Sequence, residues 1–257
     1  MSDRPPLLFL HGAFTGPEVW TRFVAPWFAR RGHRVLVPRL PGPTDGPARL
    51  RDYVRTARAA AEALGERPVA IAHSLGGLVA QHLAAEGRLA GAALIASPGP
   101  MGLGPTLWRL AVCAPEVMAA LIVTQAGGGA LLGTAAARAA LFTADTPEEW
   151  VTKVSPELVE ESPLALMDGM TWDLPFWPTA RLTPMLALLG DQDAFVPVSD
   201  LWTLALACGA ETEILPGRAH GLPIDPSWQS LAWRINAWMS ERAVGAAGGR
   251  RLRGARA

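Results

Sequence analysis

The stretch that most constrains this chain is residues 68–83, where the apolar run Val69-Ala70-Ile71-Ala72 breaks at His73-Ser74 and resumes with Leu75, Leu78, Val79 and Leu83. A continuous apolar segment of this kind suits a strand buried on both faces, and spacings of three and four residues mark one face of a helix. The reading is strand, sharp turn, helix, with Ser74 at the turn. Such a turn holds its central residue at strained backbone angles and brings strand and helix close together, so the positions two before and two after the serine must be small. Ala72 and Gly76 meet that demand. Helix amides then point at whatever the serine oxygen carries, and the positive end of the helix dipole favours negative charge there. One turn therefore offers a nucleophile and part of an anion-stabilising site.

The same strand-and-helix grammar recurs along the chain. Leu7-Leu8-Phe9-Leu10 is an apolar run that ends at His11-Gly12-Ala13-Phe14-Thr15-Gly16, and residues 18–30 follow as an amphipathic helix carrying Val19, Trp20, Phe23 and Trp27. Residues 33–38 read as the next strand, 39–47 as a proline- and glycine-rich loop, 50–64 as a helix and 92–96 as a strand ending at Ser97-Pro98-Gly99-Pro100. Residues 184–189 are again an apolar strand, with Asp191 and Asp193 just beyond it; a helix over 198–207 and a last strand over 212–215 lead to a glycine-bearing loop with His220. Residues 227–242 close the domain as a helix with Trp228, Leu231, Ile235 and Trp238 on one face. Such alternation predicts an α/β fold of parallel strands with right-handed crossovers and helices on both sides.

Between residues 102 and 181 the alternation stops. Helical stretches are expected around 107–114, 116–125, 131–142 and 147–154, in a segment too long for a connecting loop. Gly127-Gly128-Gly129 reads as a flexible joint within it; no strand precedes it and no lysine or serine follows at phosphate-loop spacing. The expected organisation is a core over 1–101 and 182–243, an insertion over 102–181, and a glycine-, alanine- and arginine-rich tail over 244–257 expected to be disordered. With 257 residues, half of them apolar, one large domain with an insertion fits better than two small ones.

Composition narrows the partners. The formal net charge is zero, which argues against nucleic acid or an anionic membrane surface and for a small neutral substrate. The two cysteines, Cys113 and Cys208, lie far apart in apolar settings and are expected as buried free thiols, with neither a disulfide framework nor metal-ligand spacing. The four apolar residues before His11 are too few for the core of a signal peptide, and no stretch has the length and apolarity of a membrane span, so the expected location is the cytoplasm.

Taken together, these motifs resemble the α/β-hydrolase fold. Residues 72–76 are similar to its G-x-S-x-G nucleophile elbow, with Ala72 in place of the first glycine, and the order serine, aspartate, histidine along the chain is that of the family. The resemblance implies a mostly parallel sheet of about six strands, without the antiparallel entry strands of larger members, and a helical cap over 102–181 roofing the substrate pocket. It implies Ser74 as nucleophile, His220 as base and Asp193 as the orienting acid, because the family spacing from Gly190 to Val196-Pro197 selects Asp193 over Asp191 and no carboxylate follows the strand at 92–96. It also implies an oxyanion hole from the backbone N–H groups of Leu75 and Ala13.

His11 is expected to brace its turn, and His73, adjacent to the serine, to pack or hydrogen-bond, since it cannot reach round the turn to the hydroxyl. Phe14, Trp172 and Phe195 are the side chains expected against substrate. The apolar and aromatic residues Trp108, Met118, Phe142, Trp150, Met167, Met170, Phe176 and Trp177 could line the roof, only a minority of them touching substrate. A serine nucleophile speaks against haloalkane dehalogenase or epoxide hydrolase chemistry, which uses an aspartate there. The implied function is hydrolysis of a small to medium uncharged carboxylic ester through an acyl-enzyme; the lone lysine of the insertion, Lys153, among many apolar residues fits an uncharged substrate. Thioesterase, lactonase, carbon–carbon bond hydrolase or cofactor-free perhydrolase action are alternatives on the same residues, and a non-catalytic ligand-binding homologue is an alternative of another class. No metal or organic cofactor is implied.

Overall fold

The apolar runs become strands of one sheet: β1 (Leu7–Leu10), β2 (Val35–Leu36), β3 (Val69–His73), β4 (Gly91–Ile95), β5 (Met185–Gly190) and β6 (Glu211–Leu215). The computed structural model describes residues 4–42, 46–155, 158–242 and 244, so the tail expected to be disordered lies, apart from Val244, outside the described residues. The strand order is β2-β1-β3-β4-β5-β6 and every neighbouring pair is parallel. Every residue of β1, β3, β4 and β5 is buried, which is why these strands read as continuous apolar runs and not as alternations. The edge strand β6 carries Glu211, Thr212 and Glu213 and is only half-buried.

Helices cover both faces of the sheet. The expected helix over 18–30 is broken into α1 (Glu18–Thr21) and α2 (Val24–Ala29), with Phe23 at φ −136° between them. Pro26 accounts for the break: proline lacks an N–H and is tolerated only in a first helical turn, so a new helix must begin just before it. The expected strand over 33–38 shrinks to two residues at the sheet edge, paired with Leu7 and Leu8; Pro38 has no N–H to offer a ladder. Then come α3 (Leu50–Ala63) and α4 (Leu75–Ala85), which pack together, while α2 packs on the last helix.

Between β4 and β5 lies a helical layer of α5 (Gly104–Cys113), α6 (Pro115–Val123), α7 (Gly129–Leu141), α8 (Glu148–Val154), α9 (Pro163–Met167) and α10 (Trp177–Ala180). The glycine joint is the kink between α6 and α7, where Gly127 has φ 79°. The chain finishes with α11 (Val198–Cys208) and α12 (Trp228–Glu241), whose Leu231, Ile235 and Trp238 are buried. Among the described residues no single helix is long and apolar enough to cross a membrane.

Cys208 is buried as expected, and burial pushes its thiol up to about 11. Cys113 is not: it sits in the last turn of α5, where residues 111–113 are all exposed.

The topology fixes where a site can form. From β1 the chain steps outward to β2 and then returns to β3 on the other side of β1, so the connections leaving β1 and β3 diverge and a crevice opens at the carboxyl ends of these two strands. The turn at 11–16 and Ser74 both lie there.

Candidate active site

Ser74 joins β3 to α4 with φ 52° and ψ −125°, a conformation an L-residue adopts only when its surroundings impose it, at a typical cost of about 1–3 kcal/mol. Both flanks are tied down: the Ser74 N–H donates to Ile95 O at 3.0 Å, and the Gly77 N–H donates to Ser74 O at 2.8 Å. Gly76 is demanded by packing, because a Cβ there would sit 2.5 Å from His11 O and 2.6 Å from Leu10 O. The small-residue requirement read from the sequence thus has a specific cause: α4 starts against the end of β1.

The turn after β1 lies over the serine. A Cβ on Gly12 would stand 2.9 Å from Ser74 Cβ, so only glycine permits this approach. Its orientation is set by a chain of hydrogen bonds. The Leu40 N–H donates to His11 Nε2 at 3.1 Å, which leaves Nδ1 as the protonated nitrogen; Nδ1–H donates to Gly12 O at 2.9 Å, and Thr15 Oγ1 donates to the same carbonyl at 3.3 Å. Burial lowers the His11 pKa, consistent with a neutral ring. In a planar trans peptide the C=O and the next N–H point in opposite directions, so anchoring Gly12 O on one side aims the Ala13 N–H to the other. Among the described residues neither the Ala13 nor the Leu75 N–H donates a hydrogen bond. Leu75 is the first residue of α4, whose amide has no intrahelical partner by construction.

Asp193 and His220 meet across two strand ends. His220 Nδ1 lies 2.8 Å from Asp193 Oδ2, with both side chains buried. Asp193 Oδ1 accepts the N–H groups of Phe195 at 2.8 Å and Val196 at 2.9 Å, which fixes the carboxylate plane. Donation from Nδ1 leaves Nε2 of the neutral ring as an acceptor. Asp191, the competing carboxylate, is exposed and among the described residues accepts only the Arg218 N–H, at 3.2 Å.

Ser74 and His220 line one apolar cavity together with Ala13, Phe14, Leu75 and Phe195. The Phe195 ring packs on the His220 ring with centroids 4.4 Å apart. Trp172 is not among the side chains that line the cavity: it is 82% exposed. Phe14 and Phe195 do line it, as expected, but none of the eight residues suggested for the roof, from Trp108 to Trp177, does. Part of its wall comes instead from Leu103, Leu107 and Leu110 around α5 and from Val117, Ala120 and Leu121 on α6. These recur at three- and four-residue intervals, so they share a helix face, and Trp108 is turned away to 69% exposure. Among the described residues no cluster of three histidine, cysteine or carboxylate side chains could hold a metal ion.

The helical layer is fastened to this site at several points. Arg109 Nη2 on α5 donates to Asp193 O at 3.2 Å, the Gly221 N–H donates to Leu141 O at the end of α7 at 2.8 Å, and Trp150 Nε1 on α8 donates to Ile224 O at 2.9 Å.

His73 does hydrogen-bond, and to the site itself: its Nε2–H donates to the backbone carbonyl of His220 at 2.9 Å, while its buried Nδ1 has no partner among the described residues. Burial, reinforced by the His220 ring, pushes its pKa down to about 3. The unfolded chain would protonate this ring near pH 6.5, so its contribution to stability is complete above that pH and is lost as pH falls from about 6.5 toward 3. Buried Asp200, raised to about 6, acts in the opposite sense, losing its contribution as pH rises from about 4 to 6, so the comparison must be between wild type and variant. Replacing His73 by glutamine keeps a donor for His220 O and removes the titration. Thermal unfolding between pH 7.5 and 4.5 should show a shallower acid fall in Tm for H73Q than for wild type; parallel curves would contradict this account.

Sequence and fold comparisons agree on the class. Residues 7–232 match the model of the alpha/beta hydrolase family. No curated protein sequence matches the chain significantly. Among solved structures, the chain is similar to an esterase from Thermogutta terrifontis (TM-score 0.70, 20% identity, covering 93% of this chain and 90% of that one). It is similar also to a structure reported with the carboxylesterases of the thaumarchaeon Nitrososphaera gargenis (0.70, 17%, 94% and 93%) and to MenH from S. aureus (0.70, 18%, 95% and 96%). At these identities the likeness is one of fold.

Proposed function

Because this chain belongs to the alpha/beta hydrolase family, we propose that it is a serine hydrolase that cleaves a small to medium uncharged carboxylic ester through an acyl-enzyme intermediate. The observation that carries the reading is the hydrogen bond between Asp193 and His220, which shares an apolar cavity with Ser74 on its strained turn. A serine hydroxyl is a weak nucleophile near neutral pH and needs a base, which in turn needs an orienting group. His220 takes the Ser74 proton as the oxygen attacks the ester carbonyl, then gives it to the departing alcohol. Asp193 keeps the proton on Nδ1 and stabilises the imidazolium. The developing oxyanion is met by the Leu75 and Ala13 amides, and water, activated by the same histidine, releases the acid. The helices between β4 and β5 act as a cap that supplies the apolar roof for the acyl group; an uncharged acyl chain fits walls of leucine, valine and alanine.

The test is hydrolysis of p-nitrophenyl esters from acetate to decanoate. Each methylene taken out of water contributes about 0.8 kcal/mol. Then kcat/KM should rise by up to about fourfold per carbon until the chain fills the cavity, and fall beyond it. A flat or falling series from acetate onward would remove the apolar acyl pocket from the reading. Absence of turnover on every ester, with a fluorophosphonate still labelling Ser74, would move the substrate to a thioester, lactone or carbon–carbon bond; absence of labelling would favour a ligand-binding protein.

A further inference from the structure

We infer that Glu161, on the segment leading into α9, is a positioning residue for the oxyanion turn: its carboxylate, together with the Val159 amide, holds Phe14 from above and thereby sets the adjacent Ala13 N–H. The inference rests on the reading of Ser74 as an acyl-transfer nucleophile.

Among the described residues, the core anchors that turn at the Gly12 carbonyl. His11 and Thr15 grip the Gly12 carbonyl, as described above, but the chain then passes through Phe14 at φ 59°, a left-handed conformation uncommon for a side-chain-bearing residue. Both backbone polar groups of Phe14 are claimed by the segment at 159–161. The Phe14 N–H donates to Glu161 Oε2 at 3.3 Å, and the Val159 N–H donates to Phe14 O at 3.0 Å. The peptide units on either side of the left-handed residue are thus fixed by groups from outside the core sheet, and a residue at such angles persists only where its neighbours over-determine it.

Glu161 is itself set firmly enough to serve. It is 4% exposed, and its Oε1 accepts from Tyr53 Oη on α3 and from the Ser162 N–H at 2.8 Å. Its backbone is clamped by one side chain, since Gln125 Nε2 donates to Glu161 O at 2.7 Å and the Glu161 N–H donates to Gln125 Oε1 at 3.2 Å. A buried carboxylate is costly unless every lone pair is used, and here donors from α3, from the oxyanion turn and from its own segment converge on it. Burial raises its pKa against the pull of those three hydrogen bonds. A group serving only to fill space would be apolar at less cost.

The proposal is tested with Glu161→Ala and with Glu161→Gln, which keeps the volume but turns one acceptor oxygen into a donor. Two readouts are taken on variants shown to be folded: steady-state ester hydrolysis together with inhibition by an alkyl boronic acid, whose tetrahedral adduct puts negative charge in the oxyanion site, and hydrogen exchange of the segment containing Ala13 and Phe14. Misplacement from a site remote from the chemistry can cost on the order of 100-fold. The expectation for Glu161→Ala is a kcat lower by roughly 10- to 100-fold, boronic acid affinity falling in step, KM within about threefold of wild type, and faster exchange at Phe14. Glu161→Gln should fall between the two. Should kcat and boronic acid affinity stay at wild-type values, or the loss appear in KM and Tm alone, Glu161 is a packing residue and the proposal is wrong. A wild-type protein without Ser74-dependent turnover would overturn the functional reading instead; unchanged exchange at Phe14 would still overturn the brace.

Discussion

Replacing Ser74 by alanine is expected to lower kcat for ester hydrolysis by about 10⁴- to 10⁶-fold with little change in fold, because the attacking oxygen is lost while the backbone keeps its course. Alanine is also an L-residue, so it inherits the strain at φ 52° without relieving it, and the hydrogen bonds that fix the turn come from main-chain atoms at residues 74, 77 and 95. The Tm of Ser74→Ala should therefore lie within a few degrees of wild type. Residual catalysis above the uncatalysed rate would be expected from the two oxyanion amides and the cavity alone. Turnover that survived in a folded Ser74→Ala protein would leave the ester chemistry with another group, and the assignment of the nucleophile would fall.

The second large effect separates two aspartates only two residues apart. Asp193→Asn should reduce kcat by about 10⁴-fold, since an asparagine amide turned toward His220 Nδ1 presents a donor to a donor and favours the wrong tautomer. The substituted side chain can still accept from the Phe195 and Val196 amides through its carbonyl oxygen, so the loop should hold its shape. Asp191→Asn should change kcat by less than about twofold, because that carboxylate accepts a single amide from Arg218 at the surface and faces no other described partner. The measurement is a side-by-side kinetic comparison on the best ester. Equal losses, or the reverse order, would transfer the acid role to Asp191.

Much of this was legible in the sequence, for identifiable reasons. Strands buried on both faces must be apolar, so the runs at 7–10, 69–72, 92–96 and 184–189 mark, to within a residue at either end, the strands Leu7–Leu10, Val69–His73, Gly91–Ile95 and Met185–Gly190. The demand for a small residue at 76 is local to one turn and follows from the approach of α4 to β1, so a short window of sequence carries it. Val35, Leu36 and Val37 all satisfy strand composition, but only Val35 and Leu36 pair, with Leu7 and Leu8, and Pro38 has no N–H to extend the ladder.

The helical layer was harder. Its apolar residues cover most faces of several helices, and side-chain size alone points to Trp108 and Trp172, whereas the phase of α5 and α6 is fixed by packing partners far away in sequence. Glu161 could not be found at all, since Glu157, Glu160 and Glu161 are indistinguishable as letters and only the fold delivers Tyr53, Phe14 and Gln125 to one of them.

The fastenings of the helical layer have a consequence for recombination. Contacts from α5, α7 and α8 end on Asp193 O, on the Gly221 amide beside His220 and on Ile224 O, and the 159–161 segment ends on Phe14. The loops bearing Asp193, His220 and Phe14 thus take support from the helical layer, whereas the turn at Ser74 is tied to Ile95 and to its own helix. Such a layer is not an interchangeable module. A chimera that trades residues 102–181 for the equivalent insertion of another enzyme inherits a foreign set of supports, and grafts made to change specificity in this scaffold must carry those four anchor points with them.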